Sequence, residues 1–430
     1  MQSIMWGCVY RANNNQNLSH MKTKNTYFSF VGISLLAIAF ALASCSKEDR
    51  DYETEGLDDV RFIDSSYCKN GVTGEGSQQG NYQAGIVTAG EWCDLTHWDF
   101  WSKLMLGEEY SDQSDYWEFF TNNRFAVKVT DEKGNAMAGV NVKLLREGEG
   151  AGTIWEAVTD NHGLAECWFG LFQKTTSATD HLRISLNDEM MDGHPVICPL
   201  DSALQSIPVN EYVCKKSKAV DQQADIAFIV DATGSMSDEI DFLKEDLVDI
   251  INNVQSVRQD MKMRTAALFY RDEGDKYVTR HHNFTDDISK TVSFVKEQNA
   301  DGGGDYPEAV HTALEKMLQD LSWNTKARTR LAFLILDAPA HYEVAVIRSL
   351  QQSIANCAKL GIRIIPVAAS GVDKNTEFML RFFANATGGT YVFLTDDSGV
   401  GNSHIAASVG DYQVEHLNKL LIRLIEEYTE

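Results

Sequence analysis

Five short apolar runs in the C-terminal half alternate with segments whose apolar residues recur every three or four positions, and this alternation restricts the fold more than any other feature. The runs are Ile226-Ala227-Phe228-Ile229-Val230, then 265–270, 331–336, 362–367 and 391–394. A strand that is apolar at every position is buried on both faces. Between the first two runs, Ile240, Leu243, Leu247, Ile250 and Val254 fall at steps of three and four, the stripe of an amphipathic helix with acidic residues on its other side. Helical patterns follow at 288–295, 307–321, 344–359, 378–386 and 414–428. Strand and helix in alternation predict an α/β domain built on a doubly wound, mostly parallel sheet with helices on both faces. In such sheets ligands bind beyond the carboxyl ends of the strands.

That rule places two carboxylates. Asp231 ends the first run and Asp337 ends the run 331–336, so both are predicted at one edge of the sheet. Thr233 and Ser235 follow in the first loop, and the Gly302-Gly303-Gly304-Asp305 stretch offers a close backbone approach and another carboxylate. Hydroxyls and carboxylates are hard oxygen donors, suited to Mg2+, Mn2+ or Ca2+ rather than to Zn2+.

Asp231-Ala232-Thr233-Gly234-Ser235 resembles the Asp-x-Ser-x-Ser signature of von Willebrand factor A domains and their metal-ion-dependent adhesion site. Tyr270-Arg271-Asp272, Gly303-Gly304-Asp305-Tyr306-Pro307-Glu308 and Asp337-Ala338-Pro339-Ala340-His341 are similar to a subgroup of that family. The likeness covers about 222–430 and implies a Rossmann-like fold. It implies Asp231, Thr233 and Ser235 as metal ligands, Asp337 bound directly or through water, and Asp305 in the place where many members have Thr. Thr233 for Ser keeps the hydroxyl. Asp305 for Thr adds a third carboxylate, which would hold a divalent ion more firmly but attract a partner's carboxylate less. The expectation is that Asp305 binds through water when a partner is engaged. Members of the family use an open coordination position for a partner's Glu or Asp, which implies a protein ligand here.

Residues 124–214 have a different period. Phe125, Val127 and Val129 alternate with polar residues, a turn follows at 131–135, and Val140, Val142 and Leu144 alternate again. Further strands are expected at 155–160, 164–168 and 182–186, giving an all-β, antiparallel sandwich. Val-x-Val-x-Asp-x-x-Gly and Thr159-Asp160-x-x-Gly163 resemble carboxypeptidase-regulatory or other Ig-like domains, which serve as spacers or docking modules. Residues 215–223 read as a linker. Upstream, Trp92, Trp98, Trp101 and Trp117 stand in a segment, 45–123, whose tether gives no mechanism; clustered Trp is a core feature more often than a sugar platform.

Lys22 and Lys24 precede an apolar run at 31–42, too short to span a bilayer, and then small residues. Leu42-Ala43-Ser44-Cys45 resembles the lipobox of bacterial lipoproteins, which implies acylation of Cys45 and attachment to a membrane. Translation is expected to start at Met21, ahead of the basic segment. Ser46-Lys47-Glu48-Asp49 is similar to the export signal of surface lipoproteins of some Gram-negative gut bacteria, so an outer-membrane, cell-surface location is expected, with the periplasmic face as the alternative. Of eight cysteines, Cys8 lies in the leader, Cys357 sits in a helical pattern as a buried thiol, and Cys68, Cys93, Cys167, Cys198 and Cys214 are an odd number whose pairing spacing does not fix.

The formal charge of −24 becomes three units more negative without residues 1–44, which hold Arg11, Lys22 and Lys24 and no acid. That field disfavours nucleic acid and suits cations, basic partners or plain solubility. Asp231-Ala232-Thr233-Gly234 has one residue too many for an aspartic protease turn, and no Gly-x-Ser-x-Gly, His-Glu-x-x-His or P-loop occurs. His281, His282 and His341 are expected at the surface or helix ends, with His341 at the rim of the site. No enzyme is expected. Metal-dependent protein binding and a structural or assembly role in an envelope complex, with a purely structural metal, both stay open.

Overall fold

A computed structural model describes residues 83–430 apart from 149–150, 175–180, 202, 204–205 and 402. The expected leader, the expected start at Met21, the expected acylation site Cys45, and Cys68 all lie outside the described residues. In chain order come β1 (Thr88–Trp92), α1 (Trp98–Met105) and α2 (Glu108–Trp117). They are followed by β2 (Asn123–Thr130), β3 (Asn141–Arg146), β4 (Gly152–Val158), β5 (Leu164–Trp168), β6 (Leu182–Leu186), β7 (Glu189–Met190), β8 (Cys198–Pro199) and β9 (Val209–Val213). The remainder is β10 (Asp221–Asp231), α3 (Ile240–Val257), β11 (Lys262–Tyr270), β12 (Thr279–Thr285), α4 (Ile288–Lys296), α5 (Val310–Asp320), β13 (Ala327–Leu336), α6 (Val344–Leu360), β14 (Arg363–Ala368), α7 (Lys374–Thr387), β15 (Tyr391–Leu394), β16 (Glu415–His416) and α8 (Leu417–Thr429).

The apolar runs become the centre of an eight-stranded sheet of order β12-β11-β10-β13-β14-β15-β1-β16. From β11 to β15 the strands are parallel; β12 adds antiparallel at one edge, and on the other side β1 is antiparallel to β15 and to the edge strand β16. Strand order reverses at β10, since the chain first moves outward to β11 and later returns to lay β13 on the other side. The crevice beyond β10 and β13 is therefore a topological switch point, where α/β sheets bind ligands. One face of the sheet packs on α3 and α8, through Leu243, Leu247, Leu420 and Leu424, and the other on α5, α6 and α7. Among the described residues no helix is long and apolar enough to cross a membrane.

Residues 123–213 form two four-stranded sheets, one holding β5, β2, β8 and β9, the other β4, β3, β6 and β7. Phe125 and Val127 of the first and Leu144 and Ile184 of the second bury in one core. The expectation of a purely antiparallel arrangement needs correction, because β9 pairs with β2 in parallel, Ala126 opposite Val209. A residue pattern records which face of a strand is buried and not the direction of its neighbour.

The Trp-rich segment is core. Trp98, Trp101 and Trp117 are fully buried, and the indoles of Trp98 and Trp101 donate to the Pro199 carbonyl and to Thr121 Oγ1, both at 2.9 Å. This segment is also woven into the α/β part, since β1 pairs with β15 from Ala89–Leu394 to Trp92–Tyr391. A fully buried ion pair fastens it: Arg381 of α7 donates to Asp94 at 2.5 and 2.9 Å and to the Tyr110 hydroxyl at 3.0 Å. Cys93, Cys167, Cys198, Cys214 and Cys357 are free thiols, Cys357 buried in α6 as expected.

Candidate metal centre

β10 ends on Asp231, which is completely buried, and the loop after it folds straight back onto that carboxylate. The Thr233 backbone N–H and hydroxyl both donate to Asp231 Oδ1, at 2.8 and 2.7 Å, and Thr233 Oγ1 lies 3.1 Å from Ser235 Oγ. The loop is held from outside by Gly234 N–H donating to the Gly302 carbonyl at 3.0 Å. Gly234 is required there, because a Cβ would come within 2.8 Å of that carbonyl oxygen. Asp337 follows β13, the parallel neighbour of β10, and is only 4% exposed.

Both carboxyls are pushed above the ordinary aspartate range. For Asp231 the cause is burial first and the charge of Asp337 second, partly offset by the two bonds from Thr233. For Asp337 it is burial, partly offset by a hydrogen bond from Ser235. Asp231 Oδ2 and Asp337 Oδ1 have no hydrogen-bond partner. A buried charge without a partner is strongly disfavoured, so these oxygens call for either protons or a cation.

Glu308 is a buried acid that residue patterns did not single out. Only 2% exposed, it is pushed up to about 9, by burial first and then by the charges of Asp231, Asp272, Asp337 and Asp275, and its Oε2 also lacks a partner. It closes the motif at 303–308, without a role assigned to it there, and its place between Pro307 and the apolar pair Ala309-Val310, which is drawn inward at the start of α5, is the local signal for its burial. A short parallel bridge between Glu308 and Ala340 fixes it beside the loop after β13. Tyr270, fully buried at the end of β11, has its phenol pushed well above its ordinary value by burial and by Asp231, Asp337 and Glu308.

Of the five residues predicted as ligands, Asp231, Thr233, Ser235 and Asp337 are brought together, and Asp305 stands exposed on the glycine-rich loop. The loop itself is braced by Asp275, whose Oδ2 accepts from Gly303 N–H at 2.9 Å, with Gly302 and Gly303 in the left-handed region. His341 is on the rim, its Nε2 2.7 Å from Asp272 Oδ1. His281 and His282 lie on the edge strand β12, two strands from β10; His281 is exposed, and His282 is half-buried with its Nε2 lacking a partner.

Among the described residues no three His, Cys, Asp or Glu side chains are gathered so as to hold a metal unaided. The donor set is two carboxylates completed by the hydroxyls of Thr233 and Ser235. All four are hard oxygen donors, and the orphaned oxygens of the two acids are what a divalent cation would satisfy. The residues present therefore fit such an ion.

Residues 225–396 match the family model described as von Willebrand factor A domain. An ariadne-like RING finger protein of Acanthamoeba polyphaga mimivirus is 33% identical over 128 residues, 29% of this chain and 12% of its own length. The alpha-protein kinase vwkA of Dictyostelium discoideum is 26% identical over 172 residues, 39% of this chain and 25% of its own. The chain thus spans a quarter or less of these curated relatives. Among solved structures, a conserved hypothetical protein, BatB, from Bacteroides thetaiotaomicron is 11% identical with a TM-score of 0.34, over 48% of this chain and 98% of that one. Proximal thread matrix protein 1 from the mussel byssus, with a zinc-occupied MIDAS motif, is 15% identical with a TM-score of 0.36, over 49% of this chain and 47% of its own. A von Willebrand factor A domain at residues 225–396 is supported by the family match, and Asp231, Thr233, Ser235 and Asp337 lie within it.

Proposed function

We propose that this is an exported protein, anchored by lipid at Cys45 on the outer membrane and displayed at the cell surface, whose von Willebrand factor A domain binds a divalent cation and through it a protein partner. The observation that carries the reading is the pair Asp231 and Asp337, buried at the ends of adjacent strands with one oxygen each left without a partner. Mg2+, Mn2+ or Ca2+ would be held by these carboxylates with the Thr233 and Ser235 hydroxyls. An ion held there would supply a positive charge, to which an acidic side chain of the partner would be drawn. This chain's own residues hold it: Thr233 orients Asp231 through two hydrogen bonds, and Ser235, exposed at the mouth, borders the open side. The Ig-like sandwich would act as a spacer, and the centre is a ligand platform rather than an enzyme's acid–base pair.

The test is calorimetric titration of each ion into the chelator-treated protein, wild type and the double variant Asp231→Ala, Asp337→Ala. The whole mature chain is needed, because a fragment starting near residue 215 would lose β1 and the Asp94 partner of Arg381. Saturable one-site binding that the double variant loses is the expected result; a folded wild type without saturable binding refutes the reading. A purely structural metal in an envelope complex is the second reading, favoured by the depth of Asp231 and by buried Glu308. It predicts that metal raises stability while capture of protein partners stays the same with and without chelator.

A further inference from the structure

A cavity of about 420 Å3 lies where the β2–β5–β9 side of the sandwich meets the ends of α6 and α7 and the start of β14. It is far from the metal centre. Arg363, on its wall, begins β14 and pairs with Leu331 in the middle of β13, whereas Asp337 comes six residues later, roughly 20 Å along the strand direction. The volume falls within the roughly 300–1,000 Å3 typical of small-molecule sites. Its wall carries Ala126, Ala157, Ala165, Ala358 and Ala386, small side chains at a junction of two packed layers where larger ones would close the gap.

The polar groups on the wall are not equally matched. Arg124 is fully paired, donating to Glu166 at 2.7 and 2.8 Å and to the Leu95 carbonyl at 2.9 Å. Arg363 is 6% exposed and poorly matched: Nη2 reaches the Leu164 carbonyl only at 3.4 Å and Asp160 Oδ2 only at 3.6 Å, and Nε has no partner. Asp160 Oδ1 accepts from the backbone N–H groups of His162 and Leu164 at 2.9 and 2.8 Å, which leaves Oδ2 alone in the long ion pair with Arg363 and does nothing for Nε. A buried guanidinium with a free donor beside an apolar gap is matched by an acceptor that brings an apolar body with it.

We propose that this cavity binds a small molecule with an apolar body and one carboxylate, of the class of medium-chain or arylalkyl acids, its head on Arg363 and its body against the alanine wall. The site is independent of the metal centre and of the partner-binding reading.

Calorimetry of the whole chain with octanoate, octanol and octylammonium, all in chelator so that no carboxylate can bind through a metal, tests it. Octanoate is expected to bind at one saturable site, at least about ten-fold tighter than octanol or octylammonium. Arg363→Met should erase the preference for the acid. Val209→Trp, at a rim position 43% exposed where the fold tolerates bulk, should block octanoate without unfolding the protein, and Asp231→Ala should leave binding unchanged. Absence of saturable octanoate binding to folded protein, equal binding of all three probes, or unaltered binding to Val209→Trp would overturn the proposal.

Discussion

Glu308→Gln isolates the electrostatic cost of the centre without changing its shape. Burial first, and then its acidic neighbours, push the Glu308 carboxyl from an ordinary value of 4.5 up to about 9. The folded state therefore keeps a proton that the unfolded chain has lost, and stability falls as pH rises from about 4.5 to about 9, being fully retained below that window. By pH 7 the loss spans about 2.5 pH units at ~1.4 kcal/mol each, a ceiling of ~3.5 kcal/mol. Glutamine has no proton to lose. In chelator at pH 7 the variant should be more stable than wild type by up to ~3.5 kcal/mol, roughly 4–8 °C in melting temperature for a unit of this size, and equal to it at pH 4. Thermal melts followed by circular dichroism from pH 4 to 9 give both profiles. Parallel profiles, with no gain for the variant at pH 7, would refute the argument that Glu308 is held protonated by its buried acidic neighbours.

Three further outcomes follow from the same geometry. Asp305→Thr should leave Mg2+ affinity within about three-fold by calorimetry, because Asp305 is exposed, whereas Asp337→Ala should abolish binding. Arg381→Met removes the cation between Asp94 and Glu377, all three buried, and should cost ~3–5 kcal/mol in urea unfolding; a loss under ~1 kcal/mol would mean that the N-terminal segment is held by its tryptophans alone. Gly389→Ala brings a Cβ to 1.9 Å from the Ile364 carbonyl oxygen, so the backbone between α7 and β15 must shift, at ~2 kcal/mol or more in the same assay.

The five central strands and their covering helices are legible in residue order because each strand is buried on both faces and each helix on one. The run at 391–394 is β15 residue for residue, and the stripe from Ile240 matches the first turn of α3. β12 was not legible: its Thr-Arg-His-His-Asn-Phe-Thr sequence has an exposed edge and no apolar period. β1 was invisible for another reason. Thr-Ala-Gly-Glu-Trp is an unremarkable pentapeptide, and its place beside β15, some 300 residues later, depends on tertiary pairing. At the centre, Asp231 and Asp337 were legible because strand ends are positions that topology fixes. Glu308 was not, since its burial follows from how the loop before α5 packs under Ala340, and a glutamate after a proline looks the same in a sequence whether it points in or out.

The acids at the centre share one cause. Asp231, Asp337 and Glu308 are all raised first by burial, and Glu239, whose Oε1 accepts from Ser370 N–H at 3.0 Å while Oε2 has no partner, is raised to about 7. Such a cluster destabilises the fold at neutral pH, and the apolar strands β10 and β13 that carry it supply the offset. A cation that neutralises the cluster releases this cost, so its affinity contains a contribution from relieved repulsion as well as from its own bonds. Linkage then fixes a direction: protons and metal compete for the same oxygens, and the stabilisation by a fixed concentration of Mg2+ must grow as pH rises from 5 to 8. Melting temperatures at paired pH values with and without Mg2+ measure that slope. A slope of zero would mean that the cation, if it binds, does so away from Asp231 and Asp337.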